Sequence, residues 1–282
     1  MKIIDGKALA AKLRAELKEQ IENFGEPITL AVVMAGENPA SQVYVRNKVK
    51  ACAEVGVRSV SRILPENCTQ EDLEAALTEL ADESVNGILL QLPLPANLDE
   101  RSALKKIPVE KDVDGFSEEN VGKLAMNRGG IAACTPLGVM KMLESAGTEI
   151  CGKRAVVIGR SNTVGRPMAM LLLNADATVT VCHSKTQNLK EICREADILI
   201  AAIGKKKFVT ADMVKDGATV IDVGINRDEN GKLCGDVDFE NVCKKAGAIS
   251  PVPGGVGPMT ITMLLHNTYL AAKEQKARRE KR

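Results

Sequence analysis

The sequence predicts an α/β protein with two lobes and a cleft between them. Continuous apolar runs alternate with stretches of helical periodicity in both halves of the chain, a pattern typical of parallel sheets covered by helices. A polar, turn-rich segment around residue 125 separates the two series. The length of 282 residues and the apolar fraction of 45% fit one large domain or two modest ones.

The first series begins with an apolar stripe at Leu9, Leu13, Leu17 and Ile21, spaced as on one face of a helix. Strands are recognised by buried apolar runs, and helices by their capping residues and periodicity. The predicted elements are a helix over 5–24, a strand over 28–33, a helix over 39–54, a strand over 57–64, a helix over 69–81 and a strand over 87–92.

The second series has the same alternation. Thr135 before Pro136 is typical of an N-cap followed by the first helical position. The predicted elements are a helix over 135–145, a strand over 154–158, a helix over 165–174, strands over 178–182, 198–202 and 219–223, and a last helix over about 259–273. The basic segment over 276–282 is interpreted as a solvated, frayed end.

Composition narrows the function classes. The 38 Lys and Arg residues balance 37 Asp and Glu residues, so no net field favours nucleic acid or an anionic membrane. The aromatic content of 2% argues against a base-stacking surface. No apolar run reaches the ~20 residues of a membrane helix, and no signal core follows Met1, so a cytoplasmic protein is expected. Eight cysteines without a CxxC pair argue against a disulfide scaffold or a metal site.

A nucleotide site is predicted where the strand over 154–158 meets the next helix. Gly159 and Gly165 allow a sharp turn, and a helix N-terminus presents free N–H groups to phosphate. The spacing departs from GxGxxG, and a plain strand-to-helix turn would also explain it. After the next strand, Ser184 stands where NAD-binding folds usually carry an acid. The missing acid and the nearby Arg160 favour NADP, although a solvated strand end is the alternative.

Candidate catalytic residues are scattered along the chain. Tyr44 and Lys48 share one helix face, and a desolvated lysine can act as a neutral base. Gln91 interrupts an apolar run at the carboxyl end of a strand, where ligands bind parallel sheets. Asp114 lies in a turn with Asp112, for which Asx-turn chemistry is the plainer explanation. The segment over 253–257 is rich in glycine and suits either ligand approach or a hinge. Taken singly, each is explained as well by surface or turn structure.

Taken together, these motifs occur in the order of one family. They are Tyr44-x-x-x-Lys48, QLPLP over 91–95, KDVDG over 111–115, GRS over 159–161, VGRP over 164–167 and PGGVGP over 253–258. Over essentially its whole length, the chain resembles the bacterial bifunctional methylenetetrahydrofolate dehydrogenase/methenyltetrahydrofolate cyclohydrolases.

The resemblance implies an enzyme that oxidises 5,10-methylenetetrahydrofolate with NADP and then hydrolyses the methenyl product to 10-formyltetrahydrofolate. By position, Lys48 is the general acid/base, Gln91 orients it, Tyr44 packs along the folate and Asp114 anchors the pterin. The resemblance also implies that a loop at Pro253, Gly254 and Gly255 shapes the folate site. The residues implied to bind NADP are Gly159, Arg160, Ser161, Ser184 and Ile225.

The resemblance also implies a domain division and an assembly. A folate-binding catalytic domain is expected over 1–124 with 259–282, a Rossmann-type NADP-binding domain over 125–258, and the assembled protein is expected to be a homodimer. Two alternatives remain open. An NADP-sensing protein would need no Lys48 or Gln91, and a shikimate-type dehydrogenase would lack the QLPLP and PGGVGP segments.

Overall fold

The computed structural model describes residues 1–281, residue 40 by its backbone alone. The strands, in chain order, are β1 Lys2–Ile3, β2 Thr29–Ala35, β3 Arg58–Leu64, β4 Gly87–Leu90, β5 Arg154–Ile158, β6 Thr178–Cys182, β7 Ile198–Ala201, β8 Thr219–Asp222, β9 Asn226–Arg227, β10 Leu233–Cys234 and β11 Ala248–Ile249.

The α-helices, in chain order, are α1 Gly6–Phe24, α2 Pro39–Val55, α3 Gln70–Glu79, α4 Glu100–Leu104, α5 Glu118–Ala125, α6 Cys134–Ala146, α7 Gly165–Asn174, α8 Leu189–Arg194, α9 Phe239–Val242 and α10 Val256–Arg279. Short 3-10 turns lie at Val109–Lys111 and Ala211–Met213. Among the described residues, none of these helices is long and apolar enough to cross a membrane.

The chain forms two compact units. The small-sheet unit consists of Lys12–Cys134 and Ile261–Arg282, and the large-sheet unit consists of Met1–Ala11 and Thr135–Thr260. These limits differ from the predicted domain boundaries, which placed the first residues with the folate domain. The reason is β1, which pairs in parallel with β11 and so adds the start of the chain to the large sheet.

The small-sheet unit is built around three parallel strands in the order β3-β2-β4. Every residue of β2 and β4 is buried, as expected from their continuous apolar sequences. The helix α3 packs its Leu73 and Leu77 against Ile88 on one face of this sheet. The edge strand β3 carries polar residues at four of its seven positions and is largely exposed, so the sheet is not covered along that edge.

The large-sheet unit contains a parallel sheet in the order β1-β11-β8-β7-β5-β6. Its core includes Val156, Leu199, Val220 and Ile249, one from each of four neighbouring strands. The segment from β5 through α7 to β6 matches the predicted ranges residue for residue. The predicted α/β architecture with a parallel sheet is thus confirmed in this unit.

Two predictions about helix ends are wrong. The helix α6 begins at Cys134 and not after Thr135, and the Thr135 hydroxyl is hydrogen-bonded to the Thr260 hydroxyl at 2.9 Å. The basic end predicted to fray from residue 276 continues as helix to Arg279. Lys276 and Arg279 both pair with Glu26, at 3.1 and 2.6 Å, which holds this last turn in place. Residue 282 lies outside the described residues.

A buried amide joins α10 to the small sheet. The Asn86 side chain accepts a hydrogen bond from the Thr29 backbone N–H at 2.8 Å and donates one to Gln275 Oε1 at 3.0 Å. Gln275 in turn donates to the backbone carbonyls of Asn86 and Glu110, both at 2.9 Å. Within this network the hydrogen bond between Asn86 and the Thr29 backbone is buried, whereas the ion pairs of Glu26 are exposed.

We therefore expect Asn86→Ala to lower the free energy of unfolding by about 1–3 kcal/mol, because it leaves the Thr29 N–H buried without a partner. The comparison variant Glu26→Gln removes two exposed ion pairs and should cost less than about 1 kcal/mol. Chemical denaturation of both variants measures the difference. A larger loss in Glu26→Gln than in Asn86→Ala would contradict this account.

Candidate active site and cofactor pocket

Lys48 and Gln91 meet inside the small-sheet unit. Lys48 lies in the middle of α2, and only 9% of its surface is exposed. Its Nζ donates a hydrogen bond to Gln91 Oε1 at 3.0 Å. Gln91 directly follows β4, where its backbone N–H donates to the Val33 carbonyl at 2.8 Å and so extends the sheet ladder. Its Nε2 donates to the Leu92 carbonyl at 2.6 Å, which turns the amide oxygen toward the lysine.

The two aspartates of the KDVDG segment have different surroundings. The Asp112 carboxylate accepts hydrogen bonds from the backbone N–H groups of Phe116 and Ser117 and from Asn120 Nδ2, at 3.1, 2.8 and 2.9 Å. Asp112 therefore performs the turn chemistry that the sequence suggested for both residues. Asp114, by contrast, lies close enough to Lys48 for the two charges to interact.

Burial dominates the protonation of this pair. Loss of hydration lowers the pKa of the Lys48 amine, and the negative charge of Asp114 offsets only part of that effect. Burial likewise raises the pKa of Asp114 to about 6, against the opposing attraction of Lys48. Both shifts disfavour the charged forms. The site consequently makes a neutral amine easier to reach than it is for a lysine in water.

Two neighbours of Asp114 hold its turn in position. The Cys134 thiol donates to the Val113 carbonyl at 3.3 Å and lies 3.6 Å from Asp114 Oδ1, and burial raises its pKa well above the ordinary value. Asn267 Nδ2 donates to the carbonyls of Val113 and Ala132, both at 2.9 Å. Sequence reasoning missed Asn267. The available signal was an amide within the apolar helical run over 261–272.

The remaining folate-site candidates are divided between the units. Tyr44 lies one turn before Lys48 on α2, and 37% of its surface is exposed. The small-sheet unit thus contains four predicted residues, Tyr44, Lys48, Gln91 and Asp114.

The loop at Pro253, Gly254 and Gly255 belongs to the large-sheet unit. The Lys7 N–H donates to the Gly254 carbonyl at 2.9 Å, and a Cβ atom at Gly6 would lie 2.0 Å from the Gly255 carbonyl oxygen. This loop therefore packs tightly against the start of α1.

A cavity of about 330 Å³ opens at the carboxyl ends of β5, β6 and β7. Ligands of open parallel sheets bind at this edge. Gly159 has φ +124°, and a Cβ atom there would lie 2.1 Å from the Ala202 carbonyl oxygen. A Cβ atom at Gly165 would lie 2.3 Å from the Gly159 carbonyl oxygen. Both glycines are required by close backbone approach, as the sequence suggested.

The cavity is cationic and lacks an acid. Its lining residues are Ile158, Gly159, Arg160, His183, Ser184, Leu189, Ala202, Ile203, Lys205 and Phe208. Lys205 was not singled out from the sequence; its Nζ lies 5.7 Å from the centre of the Phe208 ring. With Arg160 and Ser184 in the same wall, the chemistry fits an extra phosphate better than a free ribose diol.

Two predicted cofactor residues lie outside this lining. Ser161 Oγ accepts hydrogen bonds from the backbone N–H groups of Val164 and Gly165, at 3.2 and 3.3 Å, and so caps the entry to α7. Ile225 lies between β8 and β9 with 51% of its surface exposed.

Comparison with known proteins shows that the chain matches two protein-family models. Residues 4–114 match the model of the tetrahydrofolate dehydrogenase/cyclohydrolase catalytic domain, and residues 133–276 match that of the NAD(P)-binding domain. The chain belongs to the tetrahydrofolate dehydrogenase/cyclohydrolase family. It is 57% identical over 282 residues to the bifunctional protein FolD of Campylobacter concisus, covering 99% of this chain and 100% of that one.

Solved structures of this family share the whole fold. The bifunctional FolD methylenetetrahydrofolate dehydrogenase/cyclohydrolase of Campylobacter jejuni has a TM-score of 0.95 at 53% identity, covering 98% of this chain and 99% of that one. The Trypanosoma brucei enzyme, complexed with NADP and an inhibitor, has a TM-score of 0.93 at 43% identity, covering 97% of each chain.

The shikimate-type alternative is related in fold alone. A chorismate mutase/shikimate 5-dehydrogenase fusion protein from Clostridium acetobutylicum has a TM-score of 0.54 at 12% identity. The two family models cover both units of this chain, so the tetrahydrofolate enzymes are the family to which it belongs and the shikimate dehydrogenases are structural neighbours.

The electrostatics of Lys48 yield a titration test. Asp114 is the strongest of the charges that raise the pKa of Lys48. Asp114→Asn removes that charge, so the midpoint of Lys48 should move to still lower pH. NMR titration of labelled lysine, assigned by the signal lost in Lys48→Met, measures it. The control Glu54→Gln removes an exposed charge from the same helix and should leave the midpoint in place. A midpoint that rises in Asp114→Asn would refute the assigned coupling.

Proposed function

We propose that this protein oxidises 5,10-methylenetetrahydrofolate to 5,10-methenyltetrahydrofolate with NADP and then hydrolyses the product to 10-formyltetrahydrofolate. Family membership supports both reactions. The observation that carries the proposal is the buried Lys48 amine at 3.0 Å from Gln91 Oε1, with Asp114 as its neighbouring acid. No group of His, Cys, Asp or Glu residues in the described chain is arranged to hold a metal ion.

The oxidation places few demands on protein side chains. When bound, NADP supplies the acceptor for the hydride that leaves the one-carbon bridge. The two folate nitrogens donate electron density to the cation that remains, so the chain's task is alignment. We assign Tyr44 to packing along the pterin and benzoyl rings, and Asp114 to hydrogen bonds with the pterin. The loop at Pro253, Gly254 and Gly255 would shape the folate site.

The hydrolysis needs a base. Lys48 takes one proton from the water as its oxygen forms a bond to the methenyl carbon, which gives a carbon that bears a hydroxyl group. That proton then passes to N5 as the carbon–N5 bond breaks. The hydroxyl group loses its own proton to solvent as the C=O bond of the formyl group on N10 forms. A neutral amine suits this step because a second positive charge beside the cationic carbon would oppose its binding. Gln91 Oε1 receives one amine N–H, which directs the lone pair of Lys48 elsewhere.

The cofactor assignment follows from the cavity of the large-sheet unit. Gly159 and Arg160 would contact the phosphates, Ser161 would order the helix start beneath them, and Ser184 with Arg160 would bind the ribose phosphate. Ile225 would lie on the nicotinamide side. The cationic lining without an acid supports NADP over NAD.

We further propose that the protein is a cytoplasmic homodimer. It acts on folate one-carbon derivatives and not on nucleic acid or membranes. The balanced charge and the aromatic content of 2% support this choice of partners. The deciding experiment follows NADPH absorbance with methylenetetrahydrofolate as substrate. NADP binding without any turnover would instead identify a sensing protein.

Lys48→Met separates the two reactions, since it keeps the apolar stem and removes the amine. Hydrolysis of added methenyltetrahydrofolate should fall by roughly 10²–10⁴-fold or more. NADPH formation should fall less, and NADP binding should be nearly unchanged. A no-enzyme control corrects for spontaneous hydrolysis. Wild-type hydrolysis in the variant would show that Lys48 is not the base.

Ser184→Asp tests the ribose phosphate site. A carboxylate beside that phosphate should weaken NADP binding by a few kcal/mol, on the order of 100-fold, while NAD binding changes much less. Ser184→Asn is the matched control, because it has nearly the same size without the charge. Titration of both dinucleotides against both variants gives the comparison. Equal losses for NADP and NAD would place the phosphate elsewhere.

A further inference from the structure

Asp236 is a fully buried carboxylate that the proposed reaction does not use. Its Oδ2 accepts hydrogen bonds from the backbone N–H groups of Ile203 and Gly204, at 2.7 and 3.0 Å. Its Oδ1 accepts from the Lys205 backbone N–H at 2.8 Å and from Asn226 Nδ2 at 2.9 Å. All four partners are uncharged N–H donors, so their dipoles stabilise the charge.

These donors belong to two segments, the loop over 203–205 and the start of β9 at Asn226. Ile203 and Lys205 line the cavity, on the loop that follows β7. Asn226 directly follows Ile225, the residue assigned to the nicotinamide side. The Asp236 carboxylate therefore holds both the backbone of the cavity wall over 203–205 and the side chain of Asn226, which follows Ile225.

A second buried carboxylate holds Asp236 itself. Asp222 Oδ1 accepts from the backbone N–H groups of Asp236 and Gly224, both at 2.9 Å, and its Oδ2 accepts from Val237 at 2.9 Å. A Cβ atom at Gly224 would lie 2.3 Å from Asp236 Oδ1, and one at Gly235 would lie 1.8 Å from Asp222 Oδ2. Both glycines are required because the two carboxylates lie directly against the backbone.

We propose that Asp236 is a positioning residue of the dinucleotide site, which keeps the loop over 203–205 and Asn226 in their binding arrangement before the ligand arrives. This rests on the proposed function, in which the cavity binds NADP. A wall that is already ordered loses less conformational freedom on binding. The groups that Asp236 holds are backbone N–H groups and the Asn226 amide, and not Arg160 or Ser184, to which the ribose phosphate is assigned, so Asp236 should affect both dinucleotides alike, unlike Ser184.

Asparagine is an informative replacement at this position. Each carboxylate oxygen of Asp236 faces two donors, so the NH2 group of an asparagine must point at N–H groups in either orientation of its amide. This clash between N–H groups would release the loop over 203–205, Asn226 or both from residue 236. If the binding arrangement is then populated about one-tenth of the time, the measured Kd rises about tenfold.

The test measures NADP and NAD binding by calorimetry and, separately, hydrolysis of methenyltetrahydrofolate without dinucleotide. In Asp236→Asn, both Kd values should rise about tenfold with their ratio unchanged. Hydrolysis should be retained, since Lys48 and Gln91 belong to the small-sheet unit. Asp238→Asn removes the same charge two residues away, where the carboxylate pairs with Asn241 at 2.7 Å, and should leave both affinities unchanged.

A wild-type Kd in Asp236→Asn would overturn the inference, and so would a joint loss of affinity and hydrolysis, which marks a general structural residue. Should the variant not fold, Asn226→Ala removes one donor and should raise both Kd values by about two- to fivefold with hydrolysis retained; unchanged affinity there would overturn the inference equally. Failure of the wild-type protein to bind NADP would instead refute the proposed function.

Discussion

The small-sheet unit is arranged around one buried amine, because loss of hydration lowers the pKa of Lys48 and makes its neutral form easier to reach than it is in water. Lys48 is buried on the inner side of α2, opposite the end of β4 that carries Gln91. Burial alone would leave the amine without partners. The Gln91 oxygen and the Asp114 carboxyl supply them while leaving desolvation as the dominant influence on the pKa.

The same buried amine explains the supporting residues. Asp112, with three N–H donors, fixes the turn that presents Asp114. Asn267 holds that turn from α10 through the Val113 carbonyl. Lys48 and Asp114 lie close together without forming a simple exposed ion pair. Such an arrangement needs backbone restraint, because solvent-screened attraction alone cannot position either side chain.

The sequence was sufficient for features that depend on local pattern. The continuous apolar strands and the segment from β5 to β6 followed from periodicity and turn residues, whereas Tyr44, Lys48, Gln91 and Asp114 were singled out by the resemblance to one family. Features that depend on distant pairing were not accessible. The two residues of β1 carry no strand signal and become a strand only beside β11. The sequence did not single out Asp236, because its four donors lie between 10 and 33 residues away along the chain.

The pairing of β1 with β11 has a consequence for the order in which the chain is made. Lys2 lies beside Ala248, so the outer strand of the large sheet cannot pair until residues 248 and 249 have been synthesised. The small-sheet unit waits as well, since its last segment begins at Ile261. Neither unit can therefore complete its fold early in synthesis on the ribosome. Such long-range pairing slows folding and prolongs the exposure of unpaired strands, which are the surfaces that chaperones protect.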